Sequence, residues 1–295
     1  VRIEVRDVSK HFGPVSALDG VSFDVEPGRR VALVGPNGSG KSTLNRVLMG
    51  LVGCTGKVRI DGRCPFRERV AVARRMAYVP QAAPQFGAPV GEMLAAIARV
   101  RDLPTDRIQQ KARAFDLDLA ALVRRPFRSL SGGMKQKLLI ALALAADASL
   151  LILDEPTGSL DASARERFFE LFEALSPTTT LVLCSHRLDE IRPLVSQVLQ
   201  LDDGRVAHDG PADAFLARSG LAALDVWADG DAASEWLMRR GFRRGASGAW
   251  HLTIESAAKM PLLAEATAAL GPQLRNLNAR DLEMIELRAT GVPDA

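Results

Sequence analysis

Gly35-Pro36-Asn37-Gly38-Ser39-Gly40-Lys41-Ser42-Thr43 follows the apolar run Val31-Ala32-Leu33-Val34 and leads into residues 44–51, which read as the start of a helix. Strand, glycine-rich turn and helix in that order match G-x-x-x-x-G-K-[ST], the P-loop pattern. The glycines leave no side chain between backbone and ligand, so successive N–H groups can wrap a phosphate at a helix N-terminus. Lys41 adds a point charge for β- and γ-phosphates, and the Ser42 hydroxyl is placed to ligate Mg²⁺. An ordinary glycine-rich βα turn would not need the lysine and the hydroxyl in register. The loop implies a nucleoside triphosphate and leaves its purpose open.

The chain has 295 residues, enough for one large domain or two. Hydrophobic residues make up 47% and charged residues 25%, an ordinary globular composition. A net charge of +3 is too small to argue for a nucleic-acid partner. No apolar run approaches the roughly 20 residues of a membrane span. The opening Val1-Arg2-Ile3-Glu4-Val5-Arg6-Asp7 alternates like a strand and is unlike a signal peptide. Cys54, Cys64 and Cys184 show neither metal-ligand spacing nor an even disulfide set, which fits a reduced cytosolic setting.

Residues 1–8 and 20–26 alternate with period two, as half-buried strands do. Lys57 to Ile60 reads as a short strand before the turn Asp61-Gly62, residues 67–75 as a helix, and Met76 to Val79 as a buried strand ending at Pro80-Gln81. From about 85 to 146 alanine, leucine and arginine dominate with a period near 3.6, which predicts a helical insertion. It ends at Ser129-Leu130-Ser131-Gly132-Gly133-Met134-Lys135-Gln136-Lys137, the opening of a further apolar helix. The excess of arginine and lysine over residues 99–128 reads as a solvated helical face. Leu150-Leu151-Ile152-Leu153 and Thr180-Leu181-Val182-Leu183-Cys184 are continuous apolar strands of the kind a parallel sheet buries on both faces. Residues 162–175 lie between them as an amphipathic helix, and a hairpin around Asp202-Asp203-Gly204 closes this part. Residues 220–291 form a second unit of strands and helices in the order βαβαβα, its last strand over Leu274 to Leu277 and its last helix from Asp281 to Ala289, with one more strand near Phe242. Ser256 is the expected N-cap of its long helix, and Pro261 must then lie near the first turn or kink the helix.

Asp154 stands at the C-terminal end of an apolar strand, where open parallel sheets place their ligands. A P-loop demands a carboxylate partner for Mg²⁺, and Asp154 fits. Glu155 is adjacent and suited to polarise an attacking water. His186, at the end of a neighbouring strand, is a candidate for the γ-phosphate, although a strand-end histidine can be purely structural.

These residues together resemble the ATPase subunit of an ATP-binding-cassette (ABC) transporter over residues 1–217. The likeness rests on residues 35–43, Gln81 after Tyr78-Val79-Pro80, Leu130-Ser131-Gly132-Gly133-Met134, Leu150 to Pro156, Ser159-Leu160-Asp161 and His186. It implies an α/β P-loop ATPase domain with an antiparallel β-subdomain and a helical subdomain. It also implies ATP and Mg²⁺ as ligands, the metal held by Ser42, Gln81 and Asp154. Glu155, His186 and Gln81 take the catalytic roles. Gly35 to Thr43 bind the nucleotide, and Phe12 falls where the family stacks an aromatic on adenine; its alternative is a packing staple on the β-subdomain. By the same resemblance Ser131, Gly132, Gly133 and Asp161 serve the ATP of a second ATPase subunit, so the chain works as a homodimer, with integral membrane permease subunits and a periplasmic component as partners. The implied location is cytoplasmic, peripheral on the inner face of the cell membrane, with no nucleic acid as partner. Two departures stand out. Asn45 occupies a helix position that is usually apolar, so its side chain needs a partner, and Ser159 replaces a frequent glycine or alanine.

Leu282-Glu283-Met284-Ile285-Glu286-Leu287-Arg288-Ala289-Thr290-Gly291 resembles the ending of a small cytosolic domain in exporter-type (ABC-2) ATPase subunits. This implies an accessory α+β, ferredoxin-like domain over 220–291. Within that group the layout is similar to the copper-processing ATPase of nitrous-oxide reductase maturation. The rival reading is a soluble ABC-type clamp on nucleic acid or ribosomes. A ligand-sensing role for the C-terminal domain is a further alternative.

Overall fold

The computed structural model describes residues 1–185, 192–218, 221–245 and 248–281. It divides into two compact units, Val1–Ala212 and Asp213–Ala295. The division falls at the start of the helix Ala212–Arg218, whereas the composition changes near 217–220.

The first unit contains two sheets. Strands β1 (Ile3–Phe12), β2 (Val15–Val25) and β4 (Lys57–Ile60) form an antiparallel sheet in the order β2-β1-β4. Their alternation is the reason: Ile3, Val5, Val8, Val21, Phe23, Val25, Val58 and Ile60 are buried on one face. Strands β3 (Arg30–Val34), β5 (Met76–Val79), β6 (Leu150–Asp154), β7 (Thr180–Cys184), β8 (Gln197–Asp202) and β9 (Arg205–Pro211) form a six-stranded sheet in the order β5-β6-β7-β3-β8-β9. All neighbours in it are parallel except β8 and β9, which make the expected hairpin. Asp203 and Gly204 both take positive φ at its turn, 45° and 77°, which suits the twist of a tight hairpin. Every residue of β6 and β7 is buried, as continuous apolar strands in a covered parallel sheet should be.

Helix α1 (Lys41–Leu48) lies between the two sheets. Its Leu44, Val47 and Leu48 share one core with Ile3, Leu18 and Phe23 of the antiparallel sheet and with Leu150, Ile152 and Val182 of the parallel one. Helix α2 spans only Arg69–Ala73, shorter than the expected 67–75. The helical insertion is realised as α3 (Val90–Arg101), α4 (Thr105–Arg113), α5 (Leu119–Leu122) and α6 (Gly132–Ala145). Leu138 and the run from Ile140 to Ala145 are buried on all sides of α6, because it is packed between α4 and β5. Helix α7 (Ala162–Glu173) follows β6 and buries Phe168 and Phe172, whose rings stack with centroids 4.2 Å apart.

The second unit is a four-stranded antiparallel sheet of β10 (Leu221–Ala228), β11 (Arg243–Arg244), β12 (Trp250–Glu255) and β13 (Leu274–Asp281), in the order β11-β12-β10-β13. The helix Asp231–Arg239 joins β10 to β11 and the helix Ser256–Leu270 joins β12 to β13, each crossing over one intervening strand. The chain order is therefore βαββαβ, the ferredoxin-like topology, and the strand expected near Phe242 is β11. Its core is Ala222, Leu224, Val226, Ala233, Leu237, Phe242, Trp250, Ala266 and Leu270. Two expectations are corrected. Glu255, not Ser256, is the N-cap of the long helix, because Ser256 already has helical backbone, and Pro261 sits inside that helix. Strand β13 runs to Asp281, beyond the expected Leu277, because it pairs along nearly the whole of β10. The helix expected from Asp281 and the motif from Leu282 to Gly291 lie outside the described residues. No helix among the described residues is long and apolar enough to cross a membrane.

Thr180 ties three segments of the first unit together. Its buried hydroxyl donates to the Val1 carbonyl at 2.6 Å and accepts from the Gly28 N–H at 3.1 Å. Thr180→Val removes both bonds at constant volume and is expected to cost about 1–3 kcal/mol of stability. Urea denaturation measures this; an unchanged midpoint would show that the two bonds contribute nothing net.

Candidate functional site

Because β5, β6, β7, β3 and β8 run parallel, their C-terminal ends form one edge. Gln81 follows β5, Asp154 ends β6, Ser185 follows β7 and Gly35 follows β3. This is where an open α/β sheet gathers its ligand-binding groups.

The loop between β3 and α1 is built by close backbone approach. Gly35 has φ 145° and Gly40 has φ 101°; a Cβ on Gly35 would stand 2.1 Å from the Leu201 carbonyl, and one on Gly40 2.4 Å from the Ala17 carbonyl. Any side chain at either position would push the loop off its supports. The Gly204 N–H also donates to the Ser39 carbonyl at 3.2 Å. Gly40 is the N-cap of α1 and supplies no side-chain cap, and the first turn holds no acidic residue. The helix therefore presents uncapped N–H groups and the positive end of its dipole. Lys41 Nζ donates to the carbonyls of Gly35 at 2.6 Å and Pro36 at 2.9 Å. Ser39 Oγ is buried without a hydrogen-bond partner. These features fit an anion, and a phosphate in particular.

Asp154 is only 7% exposed. Burial pushes its carboxyl pKa up and the neighbouring Glu155 adds to the rise, while Lys41 and a hydrogen bond from Tyr78 oppose it. Tyr78 lies in β5 beside β6, and burial together with Asp154 raises its phenol to about 12. In the sequence Tyr78 stands before Val79-Pro80-Gln81 without a role of its own. Its signal was a phenol on the strand next to the one that ends in Asp154. Glu155 takes φ 47°, left-handed backbone that is uncommon outside glycine, and its N–H donates to the Cys184 carbonyl at 2.9 Å. That turn stops the strand at Asp154 and seats the second carboxylate beside the first.

Asn45, buried in α1, finds a partner for its amide N–H on the neighbouring strand β7: Nδ2 donates to Cys184 Sγ at 3.1 Å, while its Oδ1 is buried without a partner. Burial raises the Cys184 thiol well above its usual range. Phe12 ends β1 with 46% of its surface exposed and Lys10 Nζ 5.0 Å from its ring centroid, so it is not buried as a staple. Gln81 is exposed. Ser131 caps α6, its Oγ accepting from the Met134 N–H at 3.2 Å, and Gly132 and Gly133 form the first turn. Asp161 caps α7 through the Ala164 N–H at 2.8 Å and pairs with Lys137. His186 lies outside the described residues.

The profile of the family described as "ABC transporter" matches residues 18–158. Among curated proteins the chain is 37% identical to the Fe(3+) ions import ATP-binding protein FbpC of Mesorhizobium japonicum, over 72% of this chain and 62% of that one. It is 34% identical to the Nod factor export ATP-binding protein I of Cupriavidus metallidurans, over 77% of each chain. It is 37% identical to the nickel import ATP-binding protein NikO of Rhodobacter capsulatus, over 74% of this chain and 92% of that one. Among solved structures, an ATP-binding subunit of an ABC transporter superposes with a TM-score of 0.65 at 27% identity, over 74% of this chain and 93% of that chain. A dimeric bacterial ABC transporter cassette gives 0.62 at 25% identity, over 71% and 98%. The chain belongs to the ABC transporter family, and its first unit is the ATP-binding cassette of that family.

The glycine at position 40 offers a direct check on the loop. Gly40→Ala places a methyl against the Ala17 carbonyl in left-handed backbone and is expected to introduce about 1–3 kcal/mol of strain. Displacing the loop relieves that strain, so ATP affinity is expected to fall about tenfold. Titration calorimetry reads the change; undiminished affinity would show that the close approach to Ala17 does not hold the loop.

Proposed function

We propose that the chain is the ATPase subunit of a transporter, in which two copies pair head to tail, hold two ATP molecules between them and hydrolyse them to drive integral membrane permease subunits. One observation carries the reading: the uncapped α1 N-terminus and Lys41 share the sheet edge with the buried carboxylate of Asp154. An ATP-binding subunit and a dimeric cassette among the similar structures support it.

In this reading the N–H groups of the loop and of α1 donate to the β- and γ-phosphate oxygens, and Lys41 exchanges its two carbonyl partners for them. Phe12 offers a ring face to adenine. The Ser42 hydroxyl, the Asp154 carboxylate and the Gln81 amide oxygen are hard oxygen donors, the set that Mg²⁺ prefers. When bound, Mg²⁺ neutralises charge on the β- and γ-phosphates. Glu155 polarises the attacking water, and His186 contacts the γ-phosphate. Ser131 Oγ accepts from the Met134 N–H, so its own O–H remains to donate to a phosphate of the other copy, beside the amides at the head of α6. The γ-phosphate thereby bridges two chains, and its hydrolysis loosens the pair.

The partner permease places the chain peripherally on the inner face of the cell membrane and brings a periplasmic component into the assembly. Import and export relatives share the cassette, so the choice of cargo and direction belongs to the membrane partner. A copper cargo is supported by the layout of the chain alone. Co-purification with a polytopic membrane protein is the expected result, and co-purification with nucleic acid or ribosomes would favour the clamp instead.

Glu155→Gln keeps the shape of the site and removes the charge that polarises water. It is expected to retain ATP, to form a stable dimer in sedimentation and to lose turnover at least about a hundredfold. Normal phosphate release by this variant would sink the assignment. Lys41→Ala is expected to weaken ATP binding about tenfold or more, as loss of a charge-assisted contact to phosphate should.

A further inference from the structure

The helix that begins at Ser131 and the loop that follows β6 are fastened to one another within a single chain. Three contacts do this, from residues 133, 136 and 137. Spacings of three and four residues place them on one face of α6. A Cβ on Gly133 would stand 3.0 Å from the Ser159 carbonyl, so the helix backbone rests on the loop backbone there. Gln136 is 2% exposed, and its Nε2 donates to the Pro156 carbonyl at 3.1 Å. Lys137 Nζ donates to Asp161 Oδ2 at 2.8 Å, while Asp161 Oδ1 accepts from the Ala164 N–H at 2.8 Å. Both carboxylate oxygens of Asp161 are thus committed, and Lys137 above all holds that carboxyl below its usual range. The Lys137 side chain is 17% exposed against 61% for Asp161, so the cation is the shielded, fixed member of the pair.

We infer that Gln136 and Lys137 are positioning residues that join the Ser131–Gly133 helix start and Asp161 into one body presented to the second copy. The inference rests on the proposed head-to-tail pairing. Its chemistry is specific. Gln136 grips the carbonyl of Pro156, the residue directly after Glu155. The body that faces the other copy's ATP is therefore anchored to the carboxylate that polarises water at this copy's own ATP. A shift of Glu155 on hydrolysis is handed through Pro156 and Gln136 to α6, and Lys137 carries Asp161 with it. Without the ion pair, Asp161 keeps its cap on α7 but no longer moves with α6.

The test uses the full chain in a Glu155→Gln background, where ATP pairs the copies without being consumed. Lys137→Met keeps the stem and removes the charge, Lys137→Gln keeps a hydrogen-bond donor, and Lys137→Arg keeps the charge. Sedimentation with saturating ATP reads pairing, and a fluorescent ATP analogue at protein concentrations below pairing reads binding to the single chain. Lys137→Met and Lys137→Gln are expected to raise the dimer dissociation constant about tenfold, the scale of one charge-assisted contact. Single-chain ATP affinity is expected to stay within about twofold, and Lys137→Arg to pair like its parent. A merely structural role for Lys137 would lower the unfolding temperature and leave pairing intact; that outcome overturns the inference. So does a loss of single-chain ATP affinity in step with pairing, or a Lys137→Arg chain that pairs as poorly as Lys137→Met. A Glu155→Gln parent that does not pair in ATP overturns the pairing itself and the inference with it.

Discussion

Helix α1 has eight residues, too few to be stable by itself in water, and its N-cap Gly40 supplies no capping side chain. What holds it is burial between two sheets: Leu44, Val47 and Leu48 face a core to which both the antiparallel strands and the parallel strands contribute. The loop before it is pinned from both sides in the same way, by Ala17 of β2 against Gly40 and by Leu201 of β8 against Gly35. Tertiary packing thus does the work that a capping side chain does elsewhere. The consequence is a fixed positive end whose N–H groups have no internal competitor. A Ser or Asp cap would have stabilised the helix and filled the place of the phosphate.

The opposing charge is handled with the same economy of groups. Asp154 is buried enough that its carboxyl resists ionisation, and its neighbour Glu155 makes that worse. Lys41 and the Tyr78 hydroxyl offset the cost from two other elements, α1 and β5. These groups come from β5, β6 and α1, none of which has a reason to hold its polar end in place without the others.

Much of this was legible in the chain because it is local. The strand, turn and helix around residues 35–43 follow from apolar runs and glycines, and β7 was read to the residue, since five consecutive buried apolar or threonine positions leave little freedom. Asn45 could be flagged as a polar residue on an apolar helix face, but its partner Cys184 is 139 positions away, so no local pattern could name it. The roles of Tyr78 and Lys137 do not show in the sequence, because a hydrogen bond across strands or between a helix and a loop has no sequence period. The Ser256 cap failed for another reason. Serine is a good cap in general, but β12 extends one residue further and hands the position to Glu255, which makes no side-chain cap bond. Strand β11 is two residues long and pairs with β12 at the sheet edge, so the sequence pointed to a strand near Phe242 without its bounds.

The buried contact between Asn45 and Cys184 also bears on reactivity. Cys54 and Cys64 are partly exposed thiols, whereas Cys184 is buried beneath α1, and burial raises its pKa. A thiol reagent in solution can reach the first two, whereas burial keeps it from the third. The sulfur at the end of β7 is therefore silent for as long as α1 stays seated on the sheet. Its awakening would be a chemical record of the moment when the helix that holds the phosphate lets go.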